Sequence, residues 1–180
     1  MLPIGPLMIE HRLIERMMQV MKALLEVIQT EKKEDPVEVD KIIHFIRAYA
    51  DACHHGKEEN ILFRELGRKT ISPEHKRMME ELLEDHKLGR KITISLLEAN
   101  QRYQMGDASA LSTIADDLRS LVEFYPKHIQ KEDRNFFIPV MGYFSREEKE
   151  AMIREGYESD SRLLHQEYVD LVLSFDPRKR

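Results

Sequence analysis

The chain has a single cysteine, Cys53, among its 180 residues. No internal disulfide can form, which excludes a disulfide-stapled secreted scaffold and makes a reducing cytoplasm the expected compartment. Glycine and proline are scarce at 7 each, and with 42% hydrophobic and 34% charged residues this excludes collagen-like or low-complexity character. A basic excess is also lacking, with 28 Lys+Arg against 33 Asp+Glu for a net charge of −5. Neither nucleic acid nor a membrane surface is therefore expected as a partner. Apolar runs are far too short to cross a bilayer, and the opening Met1-Leu2-Pro3-Ile4-Gly5-Pro6 has no basic region followed by an apolar stretch. Serine elbows, phosphate loops and Cys/His nucleophile pairs are missing too, so nothing favours a hydrolase.

Period-2 runs of β-branched residues are nearly absent, while apolar residues recur at helical spacing, which predicts an all-α chain. A first helix is expected from Pro6 or Leu7 to Lys32 or Lys33, stopped by Lys32-Lys33-Glu34-Asp35-Pro36. A second should run from about Val37 to Leu66, closed by Gly67. Ser72-Pro73 reads as N-cap and first residue of a third helix, which ends near Gly106-Asp107. A fourth starts near Ser109 and stops before Pro139, with a local kink at Pro126. A short fifth helix follows Ser145 as far as Gly156, and a last apolar segment spans Leu163 to Phe175 before the charged Asp176-Pro-Arg-Lys-Arg end. Four long helices with short connections predict an antiparallel up-down-up-down bundle over residues 1–142. Residues 143–180 would form a helical C-terminal extension packed on it as one domain overall.

The two halves of the chain match each other. Glu10-His11-Arg12-Leu13 is echoed by Asp85-His86-Lys87-Leu88, displaced by 75 residues. His54-x-x-Lys57-Glu58-Glu59-x-x-Leu62-Phe63 is echoed by His128-x-x-Lys131-Glu132-Asp133-x-x-Phe136-Phe137, displaced by 74. Residues four apart share a helix face, so His54 with Glu58, and His128 with Glu132, each aim a nitrogen and a carboxylate the same way. With His11 and His86 the set is four imidazoles and two carboxylates, suited to two iron, manganese or zinc ions. Carboxylates can bridge two metals whereas each imidazole nitrogen serves one, so each ion would keep an open position. Single H-x-x-x-E pairs are common helix stabilisers, but burying the whole set without metal would cost on the order of several kcal/mol.

The other histidines stand apart from the pattern. His55, about 100° around the helix from His54 and matched by Ile129 in the second half, is expected in an outer or surface place. His44 and His75 read as solvated or capping, and His165 lies in the C-terminal segment. Glu59 and Asp133 read as acceptors for ligand N–H groups or as solvated acids. Glu15, four residues after His11, is the rival ligand, although its counterpart is Arg90. Cys53 reads as a small buried or half-buried residue, and the ten methionines as core filler.

Through Glu10-His11, His54-His-Gly-Lys-Glu58-Glu-Asn-Ile-Leu-Phe, Glu84-Asp85-His86 and Tyr125-Pro-Lys-His128-Ile-Gln-Lys-Glu132-Asp, the sequence resembles the hemerythrin-like family, the HHE cation-binding domains, over residues 7 to 140. The resemblance implies a four-helix bundle with two iron ions, cycling Fe2+/Fe3+, bridged by an oxo or hydroxo group and the two motif carboxylates. His11, His54, Glu58, His86, His128 and Glu132 match the family's ligands. Respiratory members carry a second histidine one turn from the third-helix ligand. Here those positions are Leu82 and Arg90, which argues against an oxygen carrier. The six-ligand set is similar to that of di-iron proteins proposed to repair iron–sulfur clusters, which typically add a cysteine-containing N-terminal extension.

The expected function is binding or sensing of dioxygen, nitric oxide or peroxide at the open metal positions. The alternatives are a redox enzyme, either reducing peroxide or nitric oxide with Tyr49, Tyr103 or Tyr125 as nearby redox residues or repairing iron–sulfur clusters, or an iron-handling protein.

Overall fold

The computed structural model describes residues 2–159 and 162–175, with the side chains of 159 and 162–165 outside the described set. The side chain of His165 and the charged end from Asp176 therefore lie outside the described residues. All regular structure among the described residues is helical, as the periodicity requires.

Helix α1 spans Ile4–Glu31, starting two residues ahead of expectation because Pro6 falls in the first turn, where its missing N–H has no intrahelical acceptor to lose. Helix α2 starts at Pro36, with Asp35 accepting from the Val37 N–H at 2.9 Å. It is not one regular α-helix. After Pro36–His44 it widens into π-helix over Phe45–His55 and again over Glu58–Phe63, returning to α-helix at Arg64–Leu66. Helix α3 is Pro73–Gln104, capped by Ser72 as the sequence indicates, and Gly106 turns the chain after it with φ +94°. Helix α4 is Ala110–Lys131 with Pro126 inside it, and continues as π-helix over Glu132–Phe136 into a last α-turn, Phe137–Val140. Pro139 therefore lies within the helical path instead of stopping it. After a 3-10 turn at Met141–Tyr143, α5 is Arg146–Ser159 and α6 is Arg162–Ser174. Ser145 Oγ accepts from the Glu148 N–H while Glu148 accepts from the Ser145 N–H, a reciprocal cap that starts α5.

Helix α1 packs against α2 and α4, and α3 against the same two, so the four long helices close a ring. Their apolar stripes form two clusters. The larger holds residues such as Met17, Met21, Ile42, Phe45, Leu96, Leu118 and Leu121. The smaller holds Ile4, Leu7, Ile61, Leu62, Phe63, Leu82, Phe136, Phe137 and Val140. Methionines 17, 18 and 21 are fully buried core, as expected, whereas Met105, at the end of α3, is 86% exposed and fills no core. Helix α6 adds Tyr168 and Val172 to the larger cluster, and α5 adds Met152 to the smaller, where Glu155 also takes a two-pronged ion pair from Arg64 at 2.7–2.8 Å. Along every long helix, the stretch between the two clusters carries the histidine of the repeat.

Candidate metal centre

Both H-x-x-K-E motifs fall where the backbone turns π-helical, in α2 and at the end of α4. π-turns widen the helix and often accompany functional sites. Between the clusters, His11, His54, Glu58, His86 and Glu132 are 0% exposed and His128 is 2% exposed. The structure brings all six sequence-chosen residues together.

The two glutamates stand between the imidazoles. Glu58 turns Oε1 toward His54 Nε2 at 3.4 Å and Oε2 toward His86 Nε2 at 3.3 Å. Glu132 turns Oε2 toward His11 Nε2 at 3.2 Å and Oε1 toward His128 Nε2 at 3.3 Å, with His86 Nε2 at 3.9 Å. Each carboxylate thus gives one oxygen to either side. The resulting groups, His11, His54, Glu58 and Glu132 on one side and His55, Glu58, His86 and His128 on the other, each present ligand atoms within 4.8 Å of one another. None of these Nε2 atoms or carboxylate oxygens has a hydrogen-bond partner among the described residues.

Outer carboxylates decide which nitrogen points inward. His11 Nδ1 donates to Asp133 at 2.8 Å, His54 Nδ1 to Glu10 at 2.8 Å, His86 Nδ1 to Glu59 at 2.7 Å and His128 Nδ1 to Asp85 at 3.4 Å. Since an ionised carboxylate only accepts, Nδ1 carries a proton and Nε2 is the nitrogen turned to the centre, where its lone pair is available to a cation that displaces a proton. Each acid is held in turn by a cation: Asp133 by Arg12, Glu10 by Lys57, Glu59 by Arg90 at 2.7 Å and Asp85 by Lys131 at 2.7 Å. This is the outer shell that metal-binding histidines require.

Electrostatics follow from the burial. Desolvation pushes Glu10, Glu59 and Asp85 up, but their histidine and Lys or Arg partners outweigh it and leave each carboxyl below its ordinary value. Burial opposes protonation of His11 and His86. The nearby carboxylates, Asp133 and Glu132 for His11 and Glu132 and Glu58 for His86, nevertheless raise both to about 10, so a proton on either imidazole and a cation compete for the space between the glutamates. Glu132 is likewise buried, yet driven well below the usual carboxylate range by His128, His11 and His86. The pocket favours positive charge between its carboxylates. Lone pairs on Nε2, paired carboxylates and no other partners make a donor set that fits divalent cations.

Some sequence expectations need correction. His55 is not peripheral: it is 2% exposed, and its Nε2 belongs to the second group. The π-winding of Phe45–His55 accompanies the inward placement of two consecutive histidines, which regular α-helical spacing separates. Glu15 does not compete as a ligand, being half-exposed and paired with Arg12 at 2.9 Å. Glu59 and Asp133 are the acceptors suggested for them, whereas Glu10, Asp85 and Asp51 were missed although two of them directly precede a repeat histidine. His44 pairs with the Tyr168 hydroxyl at 3.0 Å and His75 with Tyr143 at 2.8 Å, both away from the centre. Of the tyrosines, Tyr125 is the one whose ring lies against the site, nearly parallel to His55 at 6.4 Å, while Tyr49 packs on Phe45 and Tyr168.

Residues 2–138 match the family described as Hemerythrin HHE cation binding domain, and the chain belongs to that family. No curated protein and no solved structure matches it. Membership implies cation binding, and the buried His/Glu groups are where this chain could hold the cations.

Proposed function

We propose that the protein is a non-haem di-iron protein that binds or senses dioxygen, nitric oxide or peroxide. His11, His54, Glu58, His86, His128 and Glu132 are its metal ligands, with an oxo or hydroxo group completing the bridge. The division of each glutamate's two oxygens between two sets of unpartnered Nε2 atoms carries this reading. Iron bound there would supply redox change and exchangeable positions for a small exogenous ligand. Zinc and manganese share the same donor preferences and are the rival occupants.

The protein's own part is to fix geometry and exclude bulk water. Outer acids hold every imidazole in one tautomer, and the two apolar clusters seal the layer above and below. A cavity of about 270 Å³ bordered by α2, α3 and Tyr125 of α4, lined by Ile46, Thr93 and Leu97 together with Asp51 and Arg90, reaches His55. We propose the antiparallel up-down-up-down path for the four long helices, supported by the middle of α3 lying beside the later part of α2 (His86 to Glu59) and its end beside the start of α2 (Asn100 to Asp40, 2.7 Å). Residues 143–180 are proposed as an extension on this bundle, and the compartment as cytoplasmic. Among the described residues no helix is long and apolar enough to cross a membrane.

Anaerobic iron loading, followed by stoichiometry and optical absorption as dioxygen, nitric oxide and peroxide are admitted in turn, tests the reading. About two irons per chain, with oxo-bridge absorption that is lost in Glu58→Ala, is expected. One zinc per chain or no iron uptake would overturn it. The Tyr125 ring, 6.4 Å from that of His55, favours redox turnover as the second reading, and sustained consumption of peroxide or nitric oxide would select it over stoichiometric binding.

A further inference from the structure

We propose that the groove at the turn between α1 and α2 binds a small organic cation, an ammonium or guanidinium group carried on an apolar body, through the carboxylate of Glu34. The groove lies at the end of the bundle that holds the larger apolar cluster, away from the histidine layer. It measures about 660 Å³, within the range of about 300–1,000 Å³ that small-molecule sites span. Its walls are apolar: Val20, Leu24 and Val27 of α1, Ile42 of α2 and, just beyond α6, Phe175. Its charged residues are nearly all of one sign, with Glu31, Glu34, Asp35 and Glu38 against Lys33.

Glu34 differs from a surface acid in that nothing in the fold answers it. It is 9% exposed, and both its oxygens are buried without a hydrogen-bond partner among the described residues. The charged groups around it are engaged elsewhere. Lys33 pairs with Glu31 at 3.1 Å, and Asp35 accepts from the Val37 N–H at 2.9 Å. Asp40 accepts from Asn100 at 2.7 Å and from Gln104 at 2.9 Å, and Glu38 is not free either. A buried carboxyl left in this way costs folding free energy, which a ligand carrying the missing donor would recover. Burial, and then the charges of Asp35 and Asp40, raise it to about 7, so below that pH it stays largely neutral until a cation is brought beside it.

Shape and charge together select the ligand class. A neutral apolar molecule would gain from the walls alone, and an anion would be repelled by the acids around it. An inorganic cation would leave the apolar walls uncovered. An amine on an alkyl or aryl chain satisfies both, its head on Glu34 and its body against Leu24, Val27 and Phe175.

Calorimetric titration of 4-phenylbutylamine into the full-length wild type, Glu34→Gln and Ala23→Phe tests this, with 4-phenylbutanol and 4-phenylbutyrate as the neutral and anionic counterparts. At pH 8 the wild type is expected to bind one amine per chain, the alcohol at least about 10-fold more weakly and the carboxylate not at all. Glu34→Gln, which keeps the volume, should weaken the amine by at least about 10-fold and leave the alcohol as it is. Ala23→Phe, at an exposed position of α1 bordering the groove, should weaken both. From pH 8 to pH 5 the affinity for the amine should fall, and binding at the lower pH should release up to one proton, read from the dependence of the heat on the buffer. The amine should bind equally with and without added iron. Equal wild-type affinities for amine and alcohol, or an amine affinity untouched by Glu34→Gln, would overturn the proposal, and a dependence on iron would move the amine to the histidine layer and overturn it as well. So would failure of the full chain to bind the amine, the result expected if its own Arg178-Lys179-Arg180 end takes the groove instead.

Discussion

Asp133 accepts the Nδ1 proton of His11 at 2.8 Å although 122 residues of chain separate them. The acid belongs to the second repeat and the imidazole to the first. Glu59 does the reverse, reaching from the first repeat to His86 in the second. Glu10 and Asp85, by contrast, brace His54 and His128 within their own halves. Every repeat histidine is thereby fixed by an acid on another helix, and the two halves cannot hold their ligands independently.

Truncating Asp133 to alanine should therefore act on a ligand it follows by more than a hundred residues. His11 would lose the partner that fixes its tautomer, and metal affinity should fall by about 10–100-fold. Helical content should stay unchanged, since Asp133 contributes little to either apolar cluster. Chelator competition reads the affinity and circular dichroism the fold. Undiminished affinity in a folded variant would remove Asp133 from the site's support.

Metal removal should cost stability throughout the bundle. The orphaned oxygens of Glu58 and Glu132 and the five Nε2 atoms are all buried, so binding selectively stabilises the folded state. For each site filled, free metal at 100-fold above its dissociation constant adds about 2.7 kcal/mol, or about 5–10 °C in Tm per site for a chain of this size. Calorimetry with iron and then with excess chelator measures the shift. Identical transitions would mean that the layer tolerates its buried donors alone.

Much of this centre is legible before any coordinates are known, because ligand chemistry imposes spacing. His54/Glu58 and His128/Glu132 must lie four apart to share a face, and the repetition of that pair with a lone histidine upstream raises it above a common helix pair. His55 is illegible for the converse reason. Regular helical periodicity turns it away from His54, and the π-winding of Phe45–His55 leaves no mark in the apolar pattern. Pro139 misleads similarly, since proline ordinarily ends a helix yet here lies within Phe137–Val140 after a π-helical stretch. The acids Glu10 and Asp85 are visible beside His11 and His86, but the imidazoles they brace sit on other helices and emerge only from packing.

Lys32 offers a prediction remote from the metals. It ends α1 in the left-handed region at φ 55°, ψ 31°, returning its N–H to the Ile28 carbonyl. Glycine adopts that conformation without the steric cost that Cβ imposes. Lys32→Gly should stabilise the protein by about 0.5–1 kcal/mol, the relief of strain exceeding the extra chain entropy of glycine. Denaturant unfolding should show a higher midpoint at constant slope, with metal affinity unaltered. A lower midpoint would show that the lysine side chain matters more than its backbone.

Glu34, at the other end of the bundle, should make stability depend on pH. It is 9% exposed, lines a groove of about 660 Å³ with Val20, Leu24, Val27, Ile42 and Phe175, and neither carboxylate oxygen has a hydrogen-bond partner among the described residues. Burial first, then the negative charges of Asp35 and Asp40, raise its carboxyl to about 7. The folded protein therefore binds more protons at this site than the unfolded chain between about pH 4.5 and 7, and stability must fall as pH rises through that window. Glu34→Gln removes the titration. It should match the wild type near pH 4 and exceed it at pH 8 by on the order of 1 kcal/mol, because the open groove leaves the carboxylate part of its hydration. Unfolding free energies measured from pH 4 to 8 for both proteins decide the matter. Parallel curves would mean that Glu34 ionises in the folded protein as easily as in the unfolded chain.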